Sequence, residues 1–124
     1  MLNQPQETDL EEAAVREYYR LVDAGDVDGL LDLFADDAVY SRPGHPVMRG
    51  RADLAVFYGG GRVIDRGRHT LDRVVAHGSQ IAVTGAFAGV LKDGTEVDLR
   101  FADFFVFGGA RIARRDTYFF TPLV

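Results

Sequence analysis

Cysteine is absent from this sequence of 124 residues, and tryptophan is absent as well. Without cysteine, the chain has no disulfide framework, no thiolate nucleophile and no cysteine-ligated zinc or iron–sulfur site. Long hydrophobic runs are missing too, because the apolar stretches are only a few residues long and a bilayer span needs about 20. We therefore expect no membrane-spanning helix.

Basic residues are outnumbered, with 14 lysines and arginines against 19 aspartates and glutamates, which gives a formal net charge of -5 at pH 7. This is the wrong sign for a general binder of nucleic acids or anionic membranes. Residues 1–7 have no basic segment followed by an apolar one, which is the pattern of a secretory signal. We predict a cytoplasmic protein that binds neither nucleic acid nor membrane.

Metal and phosphate motifs are also scarce. The histidines, His45, His69 and His77, form no H-x-x-x-H pair and no ligand cluster at helical spacing. The glycines at 59–61 follow a predicted helix rather than a strand and lack the lysine of a phosphate-binding loop, so we interpret them as a helix stop. No G-x-S-x-G hydrolase motif is present. We expect neither a metal nor an organic cofactor.

The remaining composition, 47% hydrophobic and 27% charged, is typical of a globular protein, and the length fits a single domain over residues 1–124. The first half has helical periodicity, and the second half is rich in β-branched and aromatic residues. We predict helices Thr8–Ala24, Val27 to about Asp36 and Ala52–Tyr58, and strands Ala38–Ser41, His69–Ala76, Ile81–Leu91, Val97–Phe107 and Arg111–Phe120. Helices followed by an antiparallel meander indicate an α+β fold in which a curved sheet wraps around the helices.

Asp103 is the most informative residue, because it lies within an apolar stretch, residues 101–107, of a predicted strand. Alternate residues of a strand face opposite sides, so Asp103 shares one face with Phe101 and Phe105. Burial disfavours the charged form of a carboxyl unless a cation or several donors compensate. Asp103 is either the acid of a functional pocket or a structural or exposed aspartate, and the sequence leaves both readings open.

Other polar residues also have a functional and a structural interpretation. Tyr18 and Tyr58 lie on apolar helix faces, where aromatics are usually core, but two buried phenols beside a carboxyl would suit an oxyanion. Arg42 is either a solvated loop residue or a cavity cation, and His69 is either structural or a pocket residue. The acidic series Asp23, Asp26, Asp28 and Asp32 is interpreted as a solvated face with one helix cap.

Several stretches resemble a known superfamily. Residues 18–26 (YYRLVDAGD) and 33–39 (LFADDAV) are similar to the opening of nuclear transport factor 2-like proteins, above all bacterial ketosteroid isomerase and the SnoaL-like polyketide cyclases. Gly50-Arg51, Phe57-Tyr58 and the Asp103 strand before the turn at 108–109 continue the resemblance in order. It implies a cone-shaped fold, in which N-terminal helices pack on a strongly curved mixed sheet, mainly antiparallel, that encloses an apolar cavity.

The resemblance also implies roles. Tyr18 matches the oxyanion tyrosine of the isomerase, Tyr58 its supporting tyrosine, and Asp103 its protonated oxyanion-hole acid. In the SnoaL-like cyclases, Asp103 matches the general base. The isomerase has its catalytic aspartate just before the proline that ends the first strand, where this chain has Arg42. Arginine stays protonated and cannot shuttle a proton, so we do not expect a true steroid isomerase. Arg42 with Asp103 also resembles part of the Asp–Arg–Asp set of limonene epoxide hydrolase.

We predict a cofactor-free acid–base enzyme, an isomerase or cyclase for a small hydrophobic, ring-containing or polyketide-like metabolite. The alternatives are a non-catalytic binding or accessory protein of the same fold, or an epoxide hydrolase-like enzyme. The expected catalytic residues are Asp103, Tyr18 and Tyr58, and the expected ligand contacts are Arg42, Phe34, Tyr40, His69, Phe101, Phe105 and Phe119. Apolar strand faces beyond the need of one cavity, with Phe104, Val106 and Tyr118, predict a homodimer through the sheet.

Overall fold

The computed structural model describes residues 7–121, with side chains from residue 9 onward. Residues 1–6, which carry most of the segment where a secretory signal was sought, lie outside the described residues. The elements are α1 (Glu7–Ala24), α2 (Val27–Leu31), β1 (Phe34–Ser41), β2 (Met48–Arg49), α3 (Gly50–Val56), a π-helical turn (Phe57–Gly61), β3 (Ile64–His77), β4 (Gln80–Leu91), β5 (Glu96–Gly108) and β6 (Arg111–Phe119). Within residues 7–121, no helix is long and apolar enough to cross a membrane.

The strands form one six-stranded sheet in the order β2-β1-β6-β5-β4-β3. Among the strands of residues 7–121, only β1 and β6 pair in parallel, and the other neighbours are antiparallel. The hairpin turns hold Gly78, Gly94 and Gly109 at φ of 59°, 89° and 66°, which glycine adopts without steric cost. The sheet is curled but not closed, and α1 packs against β3 and β4. The prediction of an α+β cone with N-terminal helices on a mixed sheet is confirmed.

The start of the sheet differs from the sequence prediction. A helix was expected to continue past Phe34, but α2 ends at Leu31 and β1 begins at Phe34. Phe34 pairs with Ile112 of β6, so a partner far away in sequence overrides the local helical pattern. The strand β2 was not predicted, and β3 begins at Ile64 rather than at His69. The later strands and their turns lie close to the predicted positions.

Strand β5 has alternating burial along its whole length. Phe101, Asp103 and Phe105 are buried on the inward face, whereas Phe104 points outward and is 48% exposed. The predicted sharing of one face by these three inward residues is confirmed. Because α1 covers the inward side of the curled sheet, the carboxyl of Asp103 lies inside the cone.

Candidate functional site

A small cavity lies between α1 and the inward face of the sheet. Its volume is about 20 Å³, counted over the positions that the centre of a water molecule can take. This is room for one water. A ligand that contains a ring must therefore displace side chains. Arg62, His69 and Phe119 line the cavity and are only partly buried, so they have the most room to move.

Asp103 lies at the floor of this cavity, and both of its carboxylate oxygens accept hydrogen bonds. Arg115 Nη2 donates to Oδ2 at 2.8 Å, and the Tyr19 hydroxyl donates to the same oxygen. The Thr117 hydroxyl donates to Oδ1. The Asp103 side chain is fully buried and that of Arg115 is 5% exposed. The carboxylate thus has one cation and two hydroxyl donors, which is the compensation that a buried charge requires.

The pairing of β5 with β6 brings these groups together. Asp103 lies opposite Thr117, and Phe105 lies opposite Arg115. Residues directly opposite each other on antiparallel strands project to the same face of the sheet, so all four side chains point inward. A register shift next to Val106 sets this alignment.

Tyr18 and Tyr58 complete the floor. Their hydroxyl oxygens are 2.6 Å apart, and Arg115 Nη1 donates to Tyr58 Oη at 3.0 Å and also to Tyr18 Oη. Burial raises the pKa of Tyr18 well above its ordinary value, although the Arg115 guanidinium acts in the opposite direction. Burial likewise raises the pKa of Tyr58 to about 12. Both phenols therefore remain protonated at neutral pH. We call Asp103, Arg115, Thr117, Tyr18, Tyr19 and Tyr58 the floor network.

The hydrogen atoms of the floor network leave one donor for a ligand. Tyr18 and Tyr58 have one hydroxyl hydrogen each, and the bond between them uses one of the two. Arg115 can only donate, so it does not accept the second hydrogen. Within residues 7–121, no other acceptor bonds to either hydroxyl. One phenolic O–H is thus available to an oxygen atom in the cavity that both tyrosines line.

Arg42 does not pair directly with Asp103. Its Nη1 donates to the Tyr40 hydroxyl at 3.1 Å, and that hydroxyl lies 3.1 Å from Thr117 Oγ1. Thr117 in turn donates to Asp103. A chain of two hydroxyl groups therefore connects the cation at the cavity wall with the carboxylate at the floor.

His69 lines the cavity and forms a close pair with Asp23 of α1. Its Nδ1 is 2.6 Å from Asp23 Oδ1, and its backbone N–H donates to Oδ2 at 2.8 Å. An ionised carboxylate can only accept, so Nδ1 carries a hydrogen, and in the neutral ring Nε2 is then the acceptor. The ring packs against Phe87 and Phe101, at centroid distances of 4.7 and 5.4 Å. In its neutral form this histidine therefore presents Nε2 as its proton acceptor.

The structure brings most of the expected site residues together. Those that line the cavity are Asp103, Tyr18, Tyr58, Arg42, His69, Phe101 and Phe119. Three others do not line it. The rings of Phe34 and Phe105 pack against Tyr18 at centroid distances of 5.9 and 5.8 Å, and Tyr40 contacts Thr117 through its hydroxyl. These three support the lining side chains from behind.

Several functional candidates are missed by the sequence analysis: Arg115, Tyr19, Thr117 and Asp23. The sequence pattern assigns Asp23 to a solvated face, whereas in the structure it holds His69. The helix cap expected in that acidic series is confirmed, since Asp26 accepts from Gly29 N–H at 2.9 Å.

No group of three or more residues suited to hold a metal ion occurs in the described part of the chain.

A sequence profile of the SnoaL-like domain matches residues 15–115. The chain belongs to the SnoaL-like family. The predicted resemblance to the nuclear transport factor 2-like superfamily is confirmed by this match, which covers most of the chain.

Solved structures of SnoaL-like and related proteins have the same architecture. Bal32a, from a soil-derived mobile gene cassette, has a TM-score of 0.80 at 20% identity, with 93% of this chain and 92% of that chain covered. A putative SnoaL-like polyketide cyclase from a Jannaschia species has a TM-score of 0.78 at 13% identity, with 97% and 92% covered. SalBIII, an epoxide hydrolase/cyclase-like enzyme with a role in pyran ring formation in salinomycin, has a TM-score of 0.78 at 22% identity, with 88% and 89% covered. At these identities the likeness concerns the fold.

Proposed function

We propose that this SnoaL-like protein is a cofactor-free acid–base catalyst that isomerises or cyclises a small ring-containing or polyketide-like metabolite. The observation that carries the proposal is the available phenolic donor of Tyr18 and Tyr58, which Arg115 backs with a fixed positive charge. A ligand carbonyl oxygen accepts this hydrogen bond, and the bond strengthens as negative charge develops on the oxygen. A preorganised donor of this kind contributes roughly 100- to 1,000-fold in rate.

Proton transfer also requires an acceptor, and we assign that role to His69. A neutral imidazole can take a proton from a carbon next to the carbonyl through Nε2 and return it elsewhere. Asp23 fixes the tautomer and stabilises the imidazolium that forms. Arg42 remains protonated and serves as a ligand contact.

Asp103 has a positioning role in this proposal. Both of its oxygens already accept hydrogen bonds, from Arg115, Tyr19 and Thr117. These three donors hold the carboxylate in one position. Its negative charge instead holds the Arg115 guanidinium where it meets the two phenols.

Proton exchange at carbon tests the proposal. We expect the protein to accelerate conversion of 3-cyclohexenone to its conjugated isomer in D₂O, followed by ¹H NMR, with deuterium entering the product. Tyr18→Phe and His69→Gln should each lower the rate at least tenfold, because they remove a donor and the proton acceptor. Tyr118→Phe is the control, since Tyr118 is 56% exposed on the outer face of the sheet and should not affect the rate.

Two outcomes would contradict the proposal. Binding of the ketone with isomerisation at the buffer rate would favour the non-catalytic binding protein. Hydrolysis of cyclohexene oxide without ketone isomerisation would favour the epoxide hydrolase-like alternative. Circular dichroism of each variant separates loss of the fold from loss of the chemistry.

A further inference from the structure

Arg42 is a buried cation whose hydrogen-bonding capacity is mostly unused. Only 9% of the residue is exposed, and Nη1 donates to Tyr40 Oη at 3.1 Å. Its Nε and Nη2 atoms are buried and have no acceptor within residues 7–121. A guanidinium has five N–H donors, and leaving buried N–H donors without acceptors in a low-dielectric site is unfavourable. A natural site that retains such a group points to a ligand that completes it.

The identity of the two unpartnered atoms narrows the chemistry. Nε–H and the adjacent N–H of Nη2 point side by side along one edge of the guanidinium plane. This edge is the fork that binds the two oxygens of a carboxylate in parallel. The opposite side of the group, through Nη1, is the one that Tyr40 occupies. The tyrosine therefore fixes the guanidinium while the carboxylate-binding edge remains available.

The aromatic surroundings orient the fork without satisfying it. The guanidinium carbon lies 5.0 Å from the ring centroid of Phe57 and 5.2 Å from that of Phe119. Cation–π contacts offset part of the desolvation cost but accept no in-plane N–H bond. Phe119 lines the cavity and is only partly buried, so it can yield to the ring of a ligand.

The charge balance of the cavity also favours an anionic ligand. Its lining contains three guanidinium groups, those of Arg42, Arg62 and Arg115, and one carboxylate, that of Asp103. Asp103 is the ion-pair partner of Arg115, at 2.8 Å. In a protein with a net charge of -5, this concentration of positive charge in one small cavity selects for anions.

We propose that the cavity binds a planar carboxylate, held side-on by Nε and Nη2 of Arg42, so that its ligands are ring-containing carboxylic acids. The description of that ligand as a substrate rests on the proposed function, whereas its binding does not. The carboxylate lies at the Arg42 wall, and the rest of the molecule extends toward the Tyr18–Tyr58 floor and His69.

Calorimetric titration with benzoate and its neutral isostere benzamide at pH 7 tests the inference. We expect benzoate to bind at least tenfold more tightly than benzamide. Arg42→Gln should abolish this preference, and Arg42→Lys should lose most of it, because lysine keeps the charge but not the fork. Arg114→Gln is the matched control, an arginine on the outer face whose side chain is 52% exposed, and should retain the preference.

His45 provides a site-specific readout. Burial, followed by the positive charge of Arg42, lowers the pKa of His45, whose ring is 5.1 Å from that of Phe57. A carboxylate on Arg42 cancels that charge, so saturating benzoate should raise the pKa of His45 in an NMR titration, and benzamide should not. The same titration of Arg42→Gln should show no response to benzoate.

Three results would overturn the inference: equal affinity for benzoate and benzamide, full retention of the preference in Arg42→Lys, or tighter binding of inorganic phosphate than of benzoate. The titrations involve no turnover. A protein that binds benzoate but isomerises neither 3-cyclohexenone nor a derivative of it with a carboxylate on the ring would refute the proposed function alone. One that isomerises the ketone but shows no carboxylate preference would refute the carboxylate site alone.

Discussion

Two buried arginines line the same cavity, and they differ in how their charges are met. Arg115 forms an ion pair with Asp103 at 2.8 Å and donates to two phenols. Arg42 has the Tyr40 hydroxyl as its one hydrogen-bond acceptor within residues 7–121. Breaking a paired buried charge strongly destabilises a protein, whereas an unpaired one already lowers its stability. Arg115 Nε is also buried without an acceptor among these residues, but the charge of Arg115 is paired and that of Arg42 is not. The difference separates a floor whose charges are paired from a wall whose cation has no ion-pair partner within residues 7–121.

Replacement of Arg115, the arginine paired with Asp103, should have the largest effect on stability. Arg115→Met leaves the fully buried Asp103 carboxylate without its cation. We expect the free energy of unfolding to fall by about 3–5 kcal/mol in urea denaturation. Arg114→Met, at the neighbouring exposed position, should cost less than about 1 kcal/mol. Equal losses in the two variants would show that the buried pair does not stabilise the floor.

Alkaline pH tests the phenols of the floor. Burial raises the pKa of Tyr18 and Tyr19 well above their ordinary value and that of Tyr58 to about 12. Tyrosines of the unfolded chain ionise near pH 10, so between about pH 10 and 12 the unfolded state loses protons that the native state keeps. Stability is therefore complete below about pH 10 and falls as the pH rises toward 12, by up to roughly 3 kcal/mol for Tyr58 alone.

Urea midpoints measured from pH 9 to 12 check this slope. Tyr58→Phe should flatten it, because the substituted side chain cannot ionise. Tyr118→Phe, on the exposed outer face, provides the comparison and should keep the slope of the parent protein. An unchanged slope in Tyr58→Phe would mean that this phenol does not contribute to the alkaline loss of stability.

Replacement of Arg42, which has no ion-pair partner within residues 7–121, should change the free energy of unfolding in the opposite direction. Arg42→Met removes a buried charge that has one hydrogen-bond acceptor among the described residues and keeps much of its apolar volume. We expect the ligand-free protein to gain about 1 kcal/mol in free energy of unfolding. A loss comparable to that of Arg115→Met would contradict the distinction between wall and floor. Arg62→Met, at the partly buried arginine of the same cavity, is the comparison variant for this change in the free energy of unfolding.

The outer face of β5 and β6 should have the smallest effect on the stability of a protomer. Phe104 and Tyr118 are 48% and 56% exposed there, with ring centroids 5.9 Å apart. We predict that this face forms a homodimer. Light scattering should give a dimer mass for the parent protein and a monomer mass for the Phe104→Ser/Tyr118→Ser variant. A monomeric parent at micromolar concentration would refute the dimer.

Part of the site can be predicted from local sequence patterns. Alternation along one strand is enough to place Asp103 on the face of Phe101 and Phe105, and the structure has them there. Helical spacing likewise places Tyr18 on the buried side of α1. These inferences hold because each depends on one element and its period.

Which residue of β6 lies opposite Asp103 depends on a register shift that no local sequence pattern indicates. The pairing next to the turn joins Gly108 with Arg111, and extending it without interruption would place Asp103 opposite Asp116. The register shift beside Val106 places Thr117 there instead. A shift of one residue exchanges the two faces of a strand, so it decides whether Arg114 or Arg115 enters the cavity.

The His69–Asp23 pair depends on how two elements dock. The residues are 46 positions apart, and their contact exists because α1 packs against β3. Neither residue has a pattern in its own segment that indicates the other. The early start of β1 has the same origin, because its partner β6 is the last strand of the chain.

The structure of the protein crystallised with benzoate would test the account most directly. We predict both carboxylate oxygens within hydrogen-bonding distance of Nε and Nη2 of Arg42, with the Arg115–Asp103 ion pair unchanged. A carboxylate bound to Arg115 or to the Tyr18–Tyr58 pair, with the Arg42 fork unengaged, would contradict the division between a charge-paired floor and a carboxylate-binding wall.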